Sequence, residues 1–172
     1  MRGTPATRLI SLAGLALLCG VACSQGQPPE AASDLRRDAV LEILPTPDSA
    51  ADATPIRVAV EIADDPHEQS VGLMHRRLAD DGQGMLFVFP ESAPRVFWMR
   101  NTPGSLDLLF LDPGLRLIAL IRDAEPLSDR RLRSGAPAQY VLEVPGGFAD
   151  RHGLRLGAQV RIEPLQDPPS HR

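Results

Sequence analysis

Five side chains that can hydrogen-bond to a ligand or stack on it lie in one short stretch of the sequence. They are Trp98, Arg100, Asn101, Thr102 and Asp107. The guanidinium offers a fork of donors, the amide and hydroxyl donate and accept, the carboxylate accepts, and the indole supplies an apolar face. Converged in a concave site, these groups would bind a small polar ligand such as a sugar or a carboxylate. The alternative is that the polar members hold a structural loop.

Asp107 and Glu143 are also the acids that a hydrolytic site could use. Glycoside hydrolysis by two carboxyl groups requires a shared cleft and one acid with a raised pKa. The spacing of these two acids does not show that they meet, and no serine stands in a nucleophile-elbow motif. We therefore favour a non-enzymatic module that binds a small polar ligand or an envelope partner. A hydrolase acting on a cell-wall glycan or ester remains the alternative.

Three methionines beyond the N-terminal segment, Met74, Met85 and Met99, permit a third interpretation. Thioether sulfur selects Cu(I), so three converging sulfurs would suit a copper-handling protein. The sequence has no Met-x-x-Met cluster, however, and its four histidines lack the spacing of zinc ligands. Core packing is the favoured role of these methionines, and we expect no metal or other cofactor.

The elements that would position these residues are predicted to be mainly β-strands. Alternation of apolar and polar residues predicts strands, and Asp64 or Asp65 before Pro66 predicts a short helix that runs through Met74. A second short helix is expected within residues 145–153. The predicted strands are residues 40–44, 56–62, 84–89, 95–100, 106–112, 115–122, 139–144 and 160–163. This pattern predicts an all-β fold, either a β-sandwich or an open barrel.

The first 22 residues have the composition of a signal peptide. Two arginines precede an uncharged apolar stretch at residues 9–22, which is shorter than a spanning helix requires. The small residues before Cys23 resemble a lipobox, so we predict that Cys23 becomes the lipidated N-terminus. Cleavage after Ala22 without lipidation is the alternative. The protein would then face the periplasm of a bacterial envelope, and Ser24 favours the outer membrane.

The length and the charge of the chain limit its domain organisation and its possible partners. A chain of 172 residues predicts one domain after the signal peptide. We expect a linker with a possible first strand at residues 23–55, the β domain at 56–165 and a disordered tail at 166–172. The formal net charge of −4 predicts no nucleic-acid partner and no binding to anionic lipid through basic residues. The membrane contact would therefore be the lipid on Cys23.

A series of motifs along the predicted domain resembles the DUF192 family. The motifs are GLMHR at 72–76, GMLFVF at 84–89, FWMRNT at 97–102, LD at 106–107, VLEV at 141–144 and GG at 146–147. The resemblance implies a compact β-barrel or jelly-roll-like domain, often behind a signal sequence, and implies no function. This sequence departs from the family pattern at Arg100, where lysine is commoner, and at the loop of residues 103–105. It also has Gly157-Ala158 where Gly-Asp is usual.

Overall fold

The structure is a computed structural model that describes residues 35–44, 46 and 54–164. The predicted signal peptide, the lipidation site at Cys23 and the predicted tail at 166–172 lie outside the described residues. No helix within the described ranges is both long and apolar enough to cross a membrane.

Seven strands and two short helices make up the described part of the chain. The strands are β1 (Ala39–Leu44), β2 (Ile56–Ala63), β3 (Gln83–Phe97), β4 (Leu106–Leu111), β5 (Leu117–Ala124), β6 (Leu132–Pro145) and β7 (Gln159–Pro164), and the helices are α1 (Pro66–Val71) and α2 (Phe148–Arg151). Each strand that the alternation predicts has a counterpart in this list. The predicted first strand is β1, which lies inside the sheet, so the folded unit begins before residue 56.

The strands form one sheet in the order β5-β4-β6-β3-β2-β1-β7. Neighbouring strands are antiparallel except β2 and β3, which are parallel. The sheet curls into a half-barrel. Its two edges meet where Leu117 donates to the carbonyl of Ala158 at 2.8 Å and Gly157 donates to that of Leu117 at 2.7 Å. The all-β prediction is therefore confirmed, in its open-barrel form.

The two faces of the sheet carry separate cores because successive side chains point to opposite faces. In β4, Leu109 packs in a cluster that includes Phe148 of α2, here called the α2 core. Leu108 packs in a second cluster that includes Phe87 of β3, here called the Phe87 core. Every residue of β4 is buried, so this strand is covered on both faces.

Three elements differ clearly in extent from the prediction, and one of them is β6, which begins at Leu132 instead of the predicted residue 139. Residues 84–89 and 95–100 were expected as two separate strands, the first ending before Pro90 and the second beginning after it. The structure instead has one strand, β3, from Gln83 to Phe97. Its pairing with β6 shifts register between Val88 and Ala93. Pro90 lies inside this irregularity, where a residue without an N–H disrupts no ladder hydrogen bond. A bulge, rather than a strand end, accommodates the proline.

The first helix begins as predicted and ends earlier. The Asp65 side chain accepts a hydrogen bond from the Glu68 amide at 2.8 Å, which caps the helix directly before Pro66. Helix α1 ends at Val71 rather than Met74, because Gly72 adopts a positive φ of 50° and donates its N–H to the Glu68 carbonyl. The chain after Gly72 turns back over the Phe87 core, where Leu73 is buried.

Candidate functional site

A cavity of about 360 Å³ lies between the end of α1 and the second half of β3. Four segments line it. They are residues 69–74 at the end of α1 and in the following turn, residues 87–97 of β3, residues 98–102 after that strand, and Glu143 of β6. The turn after α1 and the segment after β3 are joined by a hydrogen bond from the His75 amide to the Asn101 carbonyl at 2.7 Å.

Glu143 is the buried ionisable residue among those that line this cavity. Its residue is 4% exposed, and its β-sheet partners are Met85 on β3 and Leu108 on β4, both apolar. Five polar residues are buried in the described part of the chain, and the other four bond a neighbour through their side chains. The Glu143 carboxyl bonds no described residue. It is therefore available to a group that enters the cavity.

Burial controls the protonation of this carboxyl. Removal of Glu143 from water raises its pKa to about 8, and the positive charge of Arg76 opposes that shift. The group is therefore largely protonated at neutral pH and can donate a hydrogen bond as well as accept one. Arg76 itself lies 3.0 Å from a carboxylate oxygen of Glu61, its direct partner.

Two arginines at the mouth of the cavity are stacked on aromatic rings. The Arg95 guanidinium lies 3.8 Å from the centroid of the Phe89 ring, and that of Arg100 lies 4.9 Å from Trp98. Arg95 also donates from Nε to the Ala138 carbonyl at 2.9 Å. These contacts restrict where each positive charge can lie. Trp98 is 43% exposed, so its ring forms part of the outer wall.

Three of the five residues predicted as one ligand site line this cavity: Trp98, Arg100 and Thr102. Thr102 is 5% exposed, and its hydroxyl donates to the Arg100 carbonyl over 3.4 Å. Asn101 has a positive φ of 55°, and its side-chain amide approaches the Met74 sulfur at 3.9 Å. Its geometry is that of a turn residue beside the cavity.

The structure places Asp107, the fifth predicted residue, away from this cavity and gives it a structural role. It is fully buried, and its carboxylate accepts hydrogen bonds from three backbone amides: Asp123 at 2.8 Å, Gly147 at 3.1 Å and Ala149 at 2.7 Å. These bonds tie β4 to the end of β5 and to the start of α2. The acceptor capacity of Asp107 is used in holding this connection.

Asp107 and Glu143 do not share a cleft. In the β4–β6 register Leu108 is opposite Glu143, whereas Asp107 is opposite Val144. Opposed residues share a face and successive residues alternate, so the two acids point to opposite faces of the sheet. The acid–base pair that the hydrolase interpretation requires is therefore not assembled.

The three methionines do not meet at an accessible point. Met85 and Met99 are each 1% exposed and belong to the Phe87 core. Met74 is partly exposed and lines the cavity. Within the described ranges, no group of three His, Cys, Asp or Glu side chains could hold a metal ion.

Comparison with known proteins identifies the family. The DUF192 family model, described as an uncharacterized ACR, matches residues 48–162. The chain belongs to the DUF192 family. The structure of this DUF192 domain is similar to that of a protein described as a candidate transcription regulator from Sinorhizobium meliloti 1021. The two are 30% identical with a TM-score of 0.68, over 76% of this chain and 97% of that chain.

A second solved structure has the same fold. It is a protein of unknown function from Novosphingobium aromaticivorans DSM 12444, 30% identical with a TM-score of 0.65, over 71% of this chain and 83% of that chain. No curated protein matches the chain. The family resemblance inferred from the motifs is confirmed, and the family carries no established function.

Two residues that line the cavity of this DUF192 domain, Glu143 and Arg95, were not among the predicted ligand-binding residues. Glu143 was considered only as an acid for hydrolysis, although it is the one charged residue in the apolar run of β6 at residues 140–144. A lone charge in such a run signals a buried functional group, and that signal was available. The position of Arg95 depends on the β3–β6 bulge and on its contact with Phe89, which no local pattern encodes.

Proposed function

We propose that this domain is a non-enzymatic binding module that holds a small polar ligand in the cavity between α1 and β3. The observation that carries the proposal is the Glu143 carboxyl, which is buried beside the cavity and bonds no described residue. No side-chain N or O atom of the described residues is both fully buried and unbonded, so the carboxyl oxygens of Glu143 keep access to the cavity. A ligand group that enters the cavity would hydrogen-bond to Glu143 directly.

The rim of the cavity supports the same proposal. Five large apolar side chains are exposed in the described part of the chain, and three of them, Val71, Val96 and Trp98, line this cavity. Concave sites with an apolar lining and a few convergent polar groups are typical of small-molecule binding. A ligand seated here would cover apolar surface at the rim while it bonds Glu143 and Thr102.

Binding is favoured over hydrolysis because the cavity has a single acid. Glu143 is the one acidic residue among its described lining residues. Glycoside hydrolysis by two carboxyl groups needs a second carboxyl within roughly 5–10 Å of the first, on the same cleft. Asp107 cannot supply it, because it lies on the opposite face of the sheet.

A thermal-shift screen tests the binding proposal. The domain beginning at Leu35 would be screened against sugars, organic acids, amines and nucleotides, with Zn(II) and Cu(I) included. A ligand at 100 times its Kd stabilises by about 2.7 kcal/mol, which raises the Tm by several degrees. Glu143→Leu and Trp98→Ala should abolish that shift. Leu156→Ala, which removes an exposed apolar side chain outside the cavity, should leave it intact. A ligand whose shift survives both cavity variants binds elsewhere, and the proposal then fails.

We also propose that the domain is exported and lipid-anchored to the outer membrane through Cys23. The support is the sequence: a basic start, a short apolar stretch and small residues before Cys23. Fractionation of cells that express the full chain tests this. The wild-type protein should enter the membrane fraction and take up labelled fatty acid, whereas Cys23→Ser should do neither. A wild-type protein found soluble in the periplasm would instead support cleavage after Ala22.

A further inference from the structure

The charged side chains around the cavity have an asymmetric arrangement. Of the described lining residues, Arg95, Arg100 and Glu143 carry ionisable groups, with both arginines at the mouth and the acid at the buried end. Arg133, an exposed residue, is opposite Val96 of the rim in the β3–β6 register. Three arginines therefore lie around the entrance, where Asp129 pairs with Arg100, in a chain whose formal net charge is −4.

The mouth arginines retain donors for a ligand. Arg100 uses Nε to bond Asp129 at 2.6 Å, and Arg95 uses Nε and one terminal nitrogen to bond the carbonyls of Ala138 and Glu91. A guanidinium has five N–H donors, so these described contacts leave terminal N–H groups on both. Contact with the aromatic rings restricts the positions of the two guanidinium groups, and each can present a fork of donors to a carboxylate.

One wall of the cavity is apolar and aromatic. The rings of Phe87 and Phe97 meet edge to face with centroids 5.0 Å apart, and both line the cavity. Leu73 contributes a buried aliphatic side chain to the same wall. We expect the part of a ligand that contacts these side chains to be apolar, and a planar ring fits against such a wall.

The buried end favours a hydroxyl over a cationic group. A hydroxyl can accept from the protonated carboxyl of Glu143 or donate to the ionised one. An ammonium would have to pass the arginines at the mouth and would be desolvated close to Arg76, whose charge already acts on Glu143. The chemistry of the two ends thus differs, with an anion at the mouth and a neutral hydroxyl inside.

We propose that the ligand is a small hydroxylated organic acid, with its hydroxyl at Glu143, its apolar body against the wall formed by Phe87 and Phe97, and its anionic group against Arg95 and Arg100. This inference rests on the proposed binding function and adds the ligand class to it.

Matched probes test the class directly. The probes are 4-hydroxyphenylacetate, phenylacetate without the hydroxyl, 4-hydroxyphenylacetamide without the charge, and tyramine with the opposite charge. Trp98 is the single tryptophan in the sequence and lines the cavity, so its fluorescence reports binding of each probe. We expect 4-hydroxyphenylacetate to bind at least about tenfold more tightly than tyramine. Loss of the hydroxyl should weaken the acid roughly fivefold.

Variants assign each end of the probe to its residue. Arg100→Gln should reduce the preference for acid over tyramine to within about threefold, because one charge-assisted bond is lost. Arg161→Gln removes an exposed arginine of β7 outside the cavity and should change nothing. Glu143→Leu should abolish the advantage of the hydroxyl, and Glu143→Gln, which still hydrogen-bonds, should keep part of it. Thermal melting confirms that each variant is folded.

The possible results distinguish an incorrect ligand class from an incorrect binding function. If tyramine binds as tightly as 4-hydroxyphenylacetate, or if a screen finds only cationic or uncharged ligands in the cavity, the ligand class is wrong and the binding function stands. If the folded wild-type domain binds none of the four probes and the broad screen finds no ligand, both proposals fail. Retention of the acid preference in Arg100→Gln and Arg95→Gln would overturn the role of the mouth arginines.

Discussion

At the scale of the residue, one carboxyl group in an apolar stretch of β6 makes the stability of the fold depend on pH. Glu143 has a folded pKa of about 8, above the value near 4.5 that is usual for glutamate. A group whose pKa is raised by folding stabilises the fold below its unfolded pKa. That contribution is lost as pH rises through the folded value, because the folded state must then hold a buried charge. Glu143 therefore costs stability in alkaline solution.

Replacement of Glu143 by glutamine should remove this cost. Glutamine has the same shape and stays neutral, so Glu143→Gln should match the wild-type stability within ~1 kcal/mol at about pH 5 and exceed it by roughly 2–4 kcal/mol at about pH 9. Urea denaturation at the two pH values measures both differences. Glu61→Gln is the matched control, since Glu61 is buried but bonded to Arg76, and it should destabilise the protein at pH 9. Equal stability of wild type and Glu143→Gln at pH 9 would show that the carboxyl is not buried as described.

The sequence grouped part of the lining of this cavity and missed the rest for a geometric reason. Trp98, Arg100 and Thr102 were grouped because they are adjacent, and they do line one cavity. Asp107 was grouped with them by proximity in sequence, but its strand parity turns its side chain to the other face. Glu143 is distant in sequence, and it reaches the cavity only through its pairing with Met85 on β3. That pairing is a tertiary fact which local patterns do not contain.

At the scale of the element, Asp107 is the anchor of helix α2. This helix has four residues, and its N-cap, Gly147, has no side chain to cap it. Asp107 substitutes from the neighbouring strand by accepting the amides of Gly147 and Ala149, and it also accepts that of Asp123. A carboxylate so placed compensates for the unpaired amides of a short helix.

Asp107→Ala should therefore be severely destabilising without altering the chemistry of the cavity. Three backbone amides would lose their acceptor, one of them, that of Ala149, in a buried bond, and we expect this to cost about 3–5 kcal/mol. Asp112→Ala is the comparison: Asp112 also accepts two amides, from Gly114 and Arg116, but in a turn where water can replace it, so about 1 kcal/mol is expected. Chemical denaturation measures both. A loss near 1 kcal/mol for Asp107→Ala would argue against its role as the anchor. Lost ligand binding in a variant that still folds would instead support the original prediction that Asp107 contributes to ligand binding.

Element boundaries were predictable where the cause is local. Asp65 and Pro66 mark the start of α1 in the sequence, and the structure confirms that cap. The passage of β3 through Pro90 was not predictable, because the bulge that accepts a proline is defined by the register of the opposite strand β6. The same holds for the early end of α1, where Gly72 permits a positive φ but does not by itself require one.

At the scale of the whole molecule, the order of the strands in the sheet differs from their order in the chain. β1 precedes the residues that the family model matches, which begin at 48, yet it lies between β2 and β7 in the sheet. It pairs antiparallel with both neighbours, and Ala39, Leu41 and Ile43 are buried in the α2 core. No local pattern could show this, because β7 follows β1 by more than a hundred residues. The family segment alone is therefore an incomplete sheet.

A chain beginning at Thr54 should consequently fail to fold, although one beginning at Leu35 should fold. Loss of β1 exposes the buried faces of β2 and β7, removes the sheet neighbour of β7, and deletes two side chains, Leu41 and Ile43, that each contribute about 1.5–3 kcal/mol by burial. Together with the lost ladders, this approaches the roughly 5–15 kcal/mol that stabilises a typical domain. Thermal melting followed by circular dichroism should show a cooperative transition only for the longer chain. Leu41→Ala in that chain is the graded control and should cost about 2–5 kcal/mol. Cooperative melting of the shorter chain at the same temperature would mean that β1 is an appendage and that residues 54–164 form the complete fold.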